Sequence, residues 1–411
     1  MPRALVISNL HAPDCLGGYE MIASECMDAL ERNHGWQITC HCARTGRPPQ
    51  PAALPCPATW PPRVRAVLTG YFPRGWSHHH ALLPAAKHLA NTPQITAALQ
   101  RESAAADVTL LFNPRRLSTL QWLPAMAAAR NPVAWVSDHW PSEYPDCDQL
   151  WRASQTHRLS PSPLVMLGAA RVRKLYARSH PAPADLSCIR RAAFVSDYIM
   201  RKTARAFPRL EKAAVIPNGI DPALFPFAPM TPRRWQTWGF CGRIQPEKGP
   251  ARALDLFARA AAANPDLRLL VAGDMATAHG AQLRKKIAAH PVLSRQVELL
   301  GLLPRGQLAE KFYHRAGVLL FTSQWDEPLA LTILEAMSCG AYVAATPTGG
   351  TPEIVTEKTG LLLATTPETL APLQTPHPTT GHLAQLSAAR AAASAATVQN
   401  MAALLDDFTK T

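Results

Sequence analysis

The sequence predicts an α/β protein built as two doubly wound, Rossmann-like domains. Its 411 residues exceed what one hydrophobic core ordinarily serves and fit two domains of roughly 200 residues each. Short apolar runs alternate with helix-patterned segments, the mark of a mostly parallel sheet with covering helices. The alternation runs twice, and the prolines from Pro222 to Pro232 between the two series read as a linker. The expected division is a first domain over 1–217, a linker over 218–235, a second domain over 236–365 and a tail over 366–411.

Residues 4–8 form the first strand, and the loop after it ends in Gly17-Gly18 before a helix over about 19–32. In doubly wound sheets this loop lies at the carboxyl edge, where ligands bind, and paired glycines let a phosphate or sugar approach the backbone. An ordinary glycine turn would look the same. A second strand covers 36–42. The proline-rich stretch 44–74 has no assignable period, and Trp60, Tyr71, Phe72 and the nearby Trp76 lie there among Arg63, Arg65 and Arg74. That mixture fits either an interfacial surface against a membrane or lipid-linked acceptor, or an ordered loop. Strands follow at 107–112 and 132–137, and Ser137-Asp138-His139-Trp140 sits at the predicted ligand edge of the latter. A strand at 193–196, a basic helix opening at Asp197 and a strand at 214–217 close the series before the turn Asn218-Gly219-Ile220-Asp221.

The second series opens with a strand over 237–241, followed by Gly242-Arg243-Ile244-Gln245-Pro246-Glu247-Lys248-Gly249 and a helix with Leu254, Phe257, Ala258 and Ala261 on one face. Arg243 and Lys248 in a loop at a strand's carboxyl end can both reach one diphosphate, the arginine as a fork and the lysine as a point charge. Two solvated surface cations are the plainer alternative. Strands at 267–273, 297–300 and 318–321 come next. Pro328 then suits the first turn of a helix, with Asp326 and Glu327 just before it, where the positive end of the dipole favours carboxylates. Leu331, Leu334 and Ser338 continue at helical spacing with Glu335 beside them, and Gly340 ends the run. A strand at 342–345, the pair Gly349-Gly350 and a helix start at Pro352-Glu353 complete the segment. At helical rise Glu327 and Glu335 stand about 12 Å apart. That is long for shared proton chemistry but suits an elongated polar ligand whose anionic middle faces helix-start amides. Glu327 as a cap and Glu335 as a solvent-facing residue remain the bland alternative.

The order Glu, seven residues, Glu, Ala-Met-x-x-Gly, a buried strand and Gly-Gly-x-Pro-Glu-Ile-Val resembles the donor segment of retaining family-four glycosyltransferases of the GT-B fold, in which two Rossmann-like domains face each other across a cleft. Gly17-Gly18-Tyr19-Glu20, Gly242-Arg243 through Lys248-Gly249, and VIPNGID at 215–221 resemble further segments of that family. The resemblance is strong over 215–363, recognisable over 4–32 and thin between. It implies that Glu335 holds the ribose of a nucleotide sugar and that Glu327 holds the transferred sugar. It further places Leu329, Ala330 and Leu331 at that sugar, Arg243, Lys248, Gly17 and Gly18 at the diphosphate, and Gly301 under the nucleobase. Two departures stand out. Leu329-Ala330 replaces the usual Phe-Gly, and Ser137 stands where many members have a histidine, so of that pair only Asp138 carries over as a catalytic candidate beside Glu327, with His139 a local one. A terminal helix crossing back onto the first domain is also implied for the tail.

Lys and Arg exceed Asp and Glu by 42 to 29, a net charge of +13, which favours an anionic partner or surface. Eleven basic residues against three acidic ones fall within 171–212, where nucleic acid, anionic headgroups and a solvated helix face are all compatible with the charge. Nucleic acid is not expected, because no recognition motif accompanies the charge. Nine cysteines without paired spacing argue against a disulfide framework. No metal is expected: the fifteen histidines, His78-His79-His80 included, show no ligand spacing, and Asp146-Cys147-Asp148 matches a DxD motif only by chance. No apolar run reaches the roughly 18 residues of a membrane span, and the expected location is the cytoplasm, with peripheral contact at an anionic membrane face as an open addition.

The expected function is retaining, metal-independent transfer of a sugar from a UDP- or GDP-sugar to the hydroxyl of a saccharide, lipid-linked or small-molecule acceptor, with no cofactor beyond the donor. The alternatives are an epimerase or phosphorylase of the same fold, or a nucleotide-sugar-binding protein without turnover.

Overall fold

The computed structural model describes residues 1–11, 17–43, 63–68, 82–115, 117, 119–144, 185–363 and 367–410. They form two compact units: one gathers the described residues up to Ile216 together with those from Ala402 on, and the other runs Pro217–Met401.

The first unit is a parallel sheet of seven strands: β1 Arg3–Ser8, β2 Gln37–Ala43, β3 Val64–Leu68, β4 Val108–Asn113, β5 Pro132–Val136, β6 Arg191–Phe194 and β7 Lys212–Val215. Their order is β3-β2-β1-β4-β5-β6-β7, so the direction of winding reverses between β1 and β4. β4 is buried along its whole length and β5 on four of five residues, as continuous apolar runs covered on both faces should be. β3 lies inside the stretch that showed no period. Its surroundings are proline-rich, but Cys40 pairs with Val64 and Cys42 with Ala66 in parallel register. Just before it Arg63, read above as one of the interfacial cations, is held instead by Asp28 and Glu31 of the helix Gly18–His34. Trp60, Tyr71, Phe72, Arg74 and Trp76, together with His78 to His80 and Asp146 to Asp148, lie outside the described residues.

The end of the chain completes this unit. The alanine-rich tail is two helices, Thr380–Ala395 and Val398–Lys410. In the latter, Asp406 accepts hydrogen bonds from the Trp36 indole at 2.8 Å and the Lys410 ammonium at 2.7 Å, and lies 3.1 Å from His34. Arg191 and Lys212 stack on the Phe408 ring, so two cations of the basic run serve packing.

The second unit is a parallel sheet of six strands: β8 Thr237–Cys241, β9 Arg268–Ala272, β10 Val297–Gly301, β11 Val318–Phe321, β12 Tyr342–Ala345 and β13 Leu361–Leu362, in the order β10-β9-β8-β11-β12-β13. Here the winding reverses between β8 and β11. The helix Pro250–Ala263 begins with proline at its first position and buries Leu254, Phe257 and Ala261 against the sheet, with Phe257 edge-on to Trp238. Crevices at such reversals, beyond the carboxyl ends of the strands, are where doubly wound sheets bind ligands.

Candidate functional site

In the second unit the two loops that leave the reversal point carry the charged residues singled out above. After β8 comes the loop to Gly249, with Arg243 exposed near its start and Lys248 in the 3-10 turn Pro246–Lys248. After β11 comes the segment from Thr322 to Ala330. Backbone bonds join them: Gln324 N–H donates to Glu247 O at 2.8 Å, and the Thr322 hydroxyl donates to Gly249 O at 2.8 Å. Gly249 has φ +69, and a Cβ there would stand 2.0 Å from Thr322 O, so only glycine permits this approach. The third wall is the glycine turn after β12. Gly350 N–H donates to Glu327 O at 2.7 Å, and Gly349, at φ +59, leaves 2.1 Å between a would-be Cβ and the same oxygen.

These contacts bring the two groups together. The Lys248 ammonium lies 2.5 Å from the Glu327 carboxylate, the Ser323 hydroxyl donates to the same oxygen at 2.8 Å, and the ammonium also stands over the Trp325 ring. Glu327 is buried. A buried carboxylate requires this kind of pairing, because desolvation alone would disfavour its charge.

The helix expected to start at Pro328 begins only at Leu331, with Ala330 at its N-cap and no side-chain cap. Glu327 therefore does not cap it, and the spacing of about 12 Å at helical rise does not describe the span to Glu335. The extension has a cause: Asn218 donates to Leu329 O at 3.1 Å, and Gly350 holds Glu327 O, so both carbonyls are used outside the helix. Leu329 and Ala330 are buried and Leu331 is half-buried.

Glu335 is buried, not solvent-facing. Arg305 donates to one of its oxygens and the Tyr313 hydroxyl to the other, each at 2.8 Å. Burial, and then the neighbouring Glu335 charge, hold the Tyr313 phenol well above its ordinary pKa, so it remains a donor. The same two causes push the Cys241 thiol up to about 12. Sequence reading missed Arg305, Tyr313 and Ser323. Arg305 had a signal, a cation four residues beyond a strand's carboxyl end. Tyr313 and Ser323 had none. Gly301 ends β10 at φ +69 with nothing within 4 Å of a would-be Cβ, an open face beside Gly273, whose N–H donates to Gly301 O at 2.8 Å.

In the first unit, Asp138 follows β5 and is gripped by Arg115, which follows β4, through bonds of 2.8 and 3.1 Å. Arg115 also pairs with Glu143 at 2.8 Å. Burial would lower its pKa, but the two carboxylates outweigh that and hold it above the ordinary value. His139 is buried and edge-on to Tyr198. Gly17 N–H donates to Glu20 at 3.0 Å, and Asn9 donates to the other oxygen of Glu20 at 3.0 Å, so Glu20 ties both ends of the glycine loop. Among the described residues a Cβ at Gly17 would meet only Glu20, at 3.9 Å, and Gly18 opens the helix.

Residues 236–372 match the family described as Glycosyl transferases group 1. The D-inositol 3-phosphate glycosyltransferase of Segniliparus rotundus is 31% identical over 160 residues, which cover 36% of this chain and 34% of that relative. The enzyme of the same name from Mycobacterium avium is 37% identical over 131 residues, 30% of this chain and 29% of the relative. The chain thus aligns with about a third of the length of these curated relatives. Among solved structures, Anabaena HepE in complex with UDP and glucose superposes with a TM-score of 0.65 at 19% identity, covering 100% of both chains. The sucrose-phosphate synthase of Thermosynechococcus elongatus gives 0.65 at 18% identity, covering 100% of this chain and 98% of its own. These likenesses show the fold: the chain has the GT-B plan of two Rossmann-like units, and the match to the group 1 glycosyl transferases falls in its second unit.

Proposed function

From that module we propose that the protein transfers a sugar from a nucleoside-diphosphate sugar to an acceptor hydroxyl, retaining the anomeric configuration and using no metal ion. The reading rests above all on Lys248 and Glu327 meeting at the winding reversal of the second sheet. Breaking the bond between sugar and diphosphate develops negative charge on the leaving phosphate and positive charge on the sugar. An ammonium beside a carboxylate offers one group to each side of that bond, already fixed before reaction. Lys248 and Arg243 then face the diphosphate, while Glu327 and the backbone of Leu329 to Leu331 hold the sugar.

Glu335 would take the ribose. Each carboxylate oxygen has two acceptor sites, and Arg305 and Tyr313 use one apiece, leaving one on each oxygen for a ribose hydroxyl. The open face of Gly301 suits a nucleobase. A uridine donor is favoured by the likeness to HepE, whose structure holds UDP and glucose. A hydroxyl acceptor of sugar or polyol type is in keeping with the relatives named as D-inositol 3-phosphate glycosyltransferases. On the first unit, Gly17-Gly18, Asp138 and His139 would serve the acceptor side and the phosphates. With both oxygens of Asp138 held by Arg115, its role there is to orient His139 rather than to carry a proton.

The test is to incubate the protein with labelled UDP- and GDP-sugars and a panel of hydroxyl acceptors, then repeat with Glu327→Gln and Glu335→Ala. Expected are glycosylated product from one donor class, loss of turnover in the first variant and weakened donor binding in the second. Donor binding without product in the unaltered protein would make it a nucleotide-sugar-binding protein. Free epimer as the only product would make it an epimerase.

A further inference from the structure

The amino edge of the second sheet carries a separate groove of about 720 Å³, into which the first residues of three neighbouring strands open: Thr237 of β8, Arg268 of β9 and Val297 of β10. Lys248 and Glu327 lie beyond the opposite ends of these strands and of β11, about 15 Å away at strand rise. Five arginines line the groove against two carboxylates, Asp266 and Glu298. Their bonding is uneven. Arg315 pairs with Glu298 at 2.5 Å, but no carboxylate among the described residues lies within ion-pair distance of Arg233, Arg234, Arg268 or Arg295.

Arg234 is buried, and among the described residues its guanidinium is met by carbonyl oxygens, of Ala228 at 2.5 Å, Pro229 at 2.9 Å, Tyr313 at 2.8 Å and Cys339 at 3.3 Å. Tyr313 and Cys339 stand at the carboxyl ends of helical segments, where the dipole favours a cation, so Arg234 stiffens the base of the groove. Arg268 is oriented by Pro265 O and Leu267 O, each at 2.8 Å, and Gln296 donates to the same two carbonyls. Arg233 and Arg295 are exposed at the rim. The guanidinium forks of Arg233, Arg268 and Arg295, which pair with no carboxylate among the described residues, match the geometry of phosphate oxygens.

We propose that this groove binds two or more phosphate groups presented together, on one molecule or on neighbouring headgroups of a lipid surface, at a site distinct from the strand ends assigned to the sugar donor. The ligand is either a soluble polyphosphorylated molecule or a phospholipid headgroup, since both present the same anion to the arginines.

The probe is inorganic tripolyphosphate, titrated calorimetrically into the full chain, alongside co-sedimentation with phosphatidylglycerol and phosphatidylcholine vesicles. The variant is Arg233→Glu with Arg295→Glu, both exposed, checked for an unchanged melting temperature. Arg243→Ala with Lys248→Ala serves as the control for anion binding at the donor loop. The double reversal is expected to weaken tripolyphosphate binding at least about tenfold, equivalent to about 1.4 kcal/mol. The control variant should lose only the tripolyphosphate binding that belongs to the donor loop and keep that of the groove, and affinity should fall steeply with salt. Loss of phosphatidylglycerol binding in the double reversal, with no tripolyphosphate binding in the wild type, supports the proposal with a headgroup as the source. Binding of both probes unchanged by the reversal, or of neither by the wild type, overturns it.

Discussion

Acidic side chains do different work in the two units. In the first, Glu20 and Asp138 are spent on architecture: Glu20 accepts from the Gly17 amide and from Asn9, and Asp138 is clamped by Arg115. In the second, loop shape is held by backbone bonds and by two glycines that permit close approach, Gly249 against Thr322 and Gly349 against Glu327. Glu327 and Glu335 are thereby relieved of anchoring. They face cations and hydroxyls that a ligand can share or displace. On the proposed reading, glycine fixes the frame there and leaves the carboxylates to the donor.

The contrast is sharpest between Glu327→Gln and Asp138→Asn. Losing a preorganised charge at the reacting bond should lower kcat by about 10²–10³-fold, a kinetic loss far larger than any fall in melting temperature from the broken pair with Lys248 explains. Asp138→Asn should instead lower the melting temperature, with the smaller kinetic loss, and steady-state assays beside thermal melts would show the reverse if the roles are exchanged. Next in size is Gly349→Ala, which adds a clash with Glu327 O to a left-handed backbone. Destabilisation of about 2 kcal/mol by urea unfolding is expected, and a neutral result would mean the turn can move.

A smaller effect belongs to Tyr313→Phe, which removes one hydrogen bond from a buried carboxylate. A rise of about tenfold in donor KM at nearly constant kcat is expected, from the 1.5–3 kcal/mol typical of bonds to charged groups. If Glu335 holds the ribose, a 2′-deoxyribose donor should lose less in this variant than in the wild type. Smallest is a pH effect in the first unit. Burial would raise the Asp406 pKa, but bonds from Lys410 and Trp36 outweigh it and hold the group below its ordinary value. A depressed folded pKa stabilises above the unfolded value of about 3.9, and the contribution is lost as pH falls through the folded value. Asp406→Asn should therefore flatten the acid limb of a melting-temperature profile.

Much of this was legible in the residues and some was not, for local reasons. The apolar runs at Thr237–Cys241, Val318–Phe321 and Tyr342–Ala345 are strands on the bounds their patterns predict, because buried parallel strands leave little freedom in what surrounds them. The helix after Glu327 was misplaced because Asp326, Glu327 and Pro328 imitate a helix start, while the bonds that keep this stretch extended come from Asn218 and Gly350. The ion pair of Lys248 with Glu327 joins residues 79 apart, and Arg305 reaches Glu335 across 30. Such meetings follow from strand order, which periodicity does not encode. β3 was hidden by the prolines on either side of it.

The indole of Trp36 waits for a partner that lies 370 residues further on. During synthesis at about 5–20 residues per second, that partner emerges about 20–70 s later, after the entire second sheet. Until then the first sheet lacks the Asp406 carboxylate that the Trp36 indole bonds and the Phe408 ring beneath Arg191 and Lys212, which makes the unfinished unit a candidate stop for chaperones.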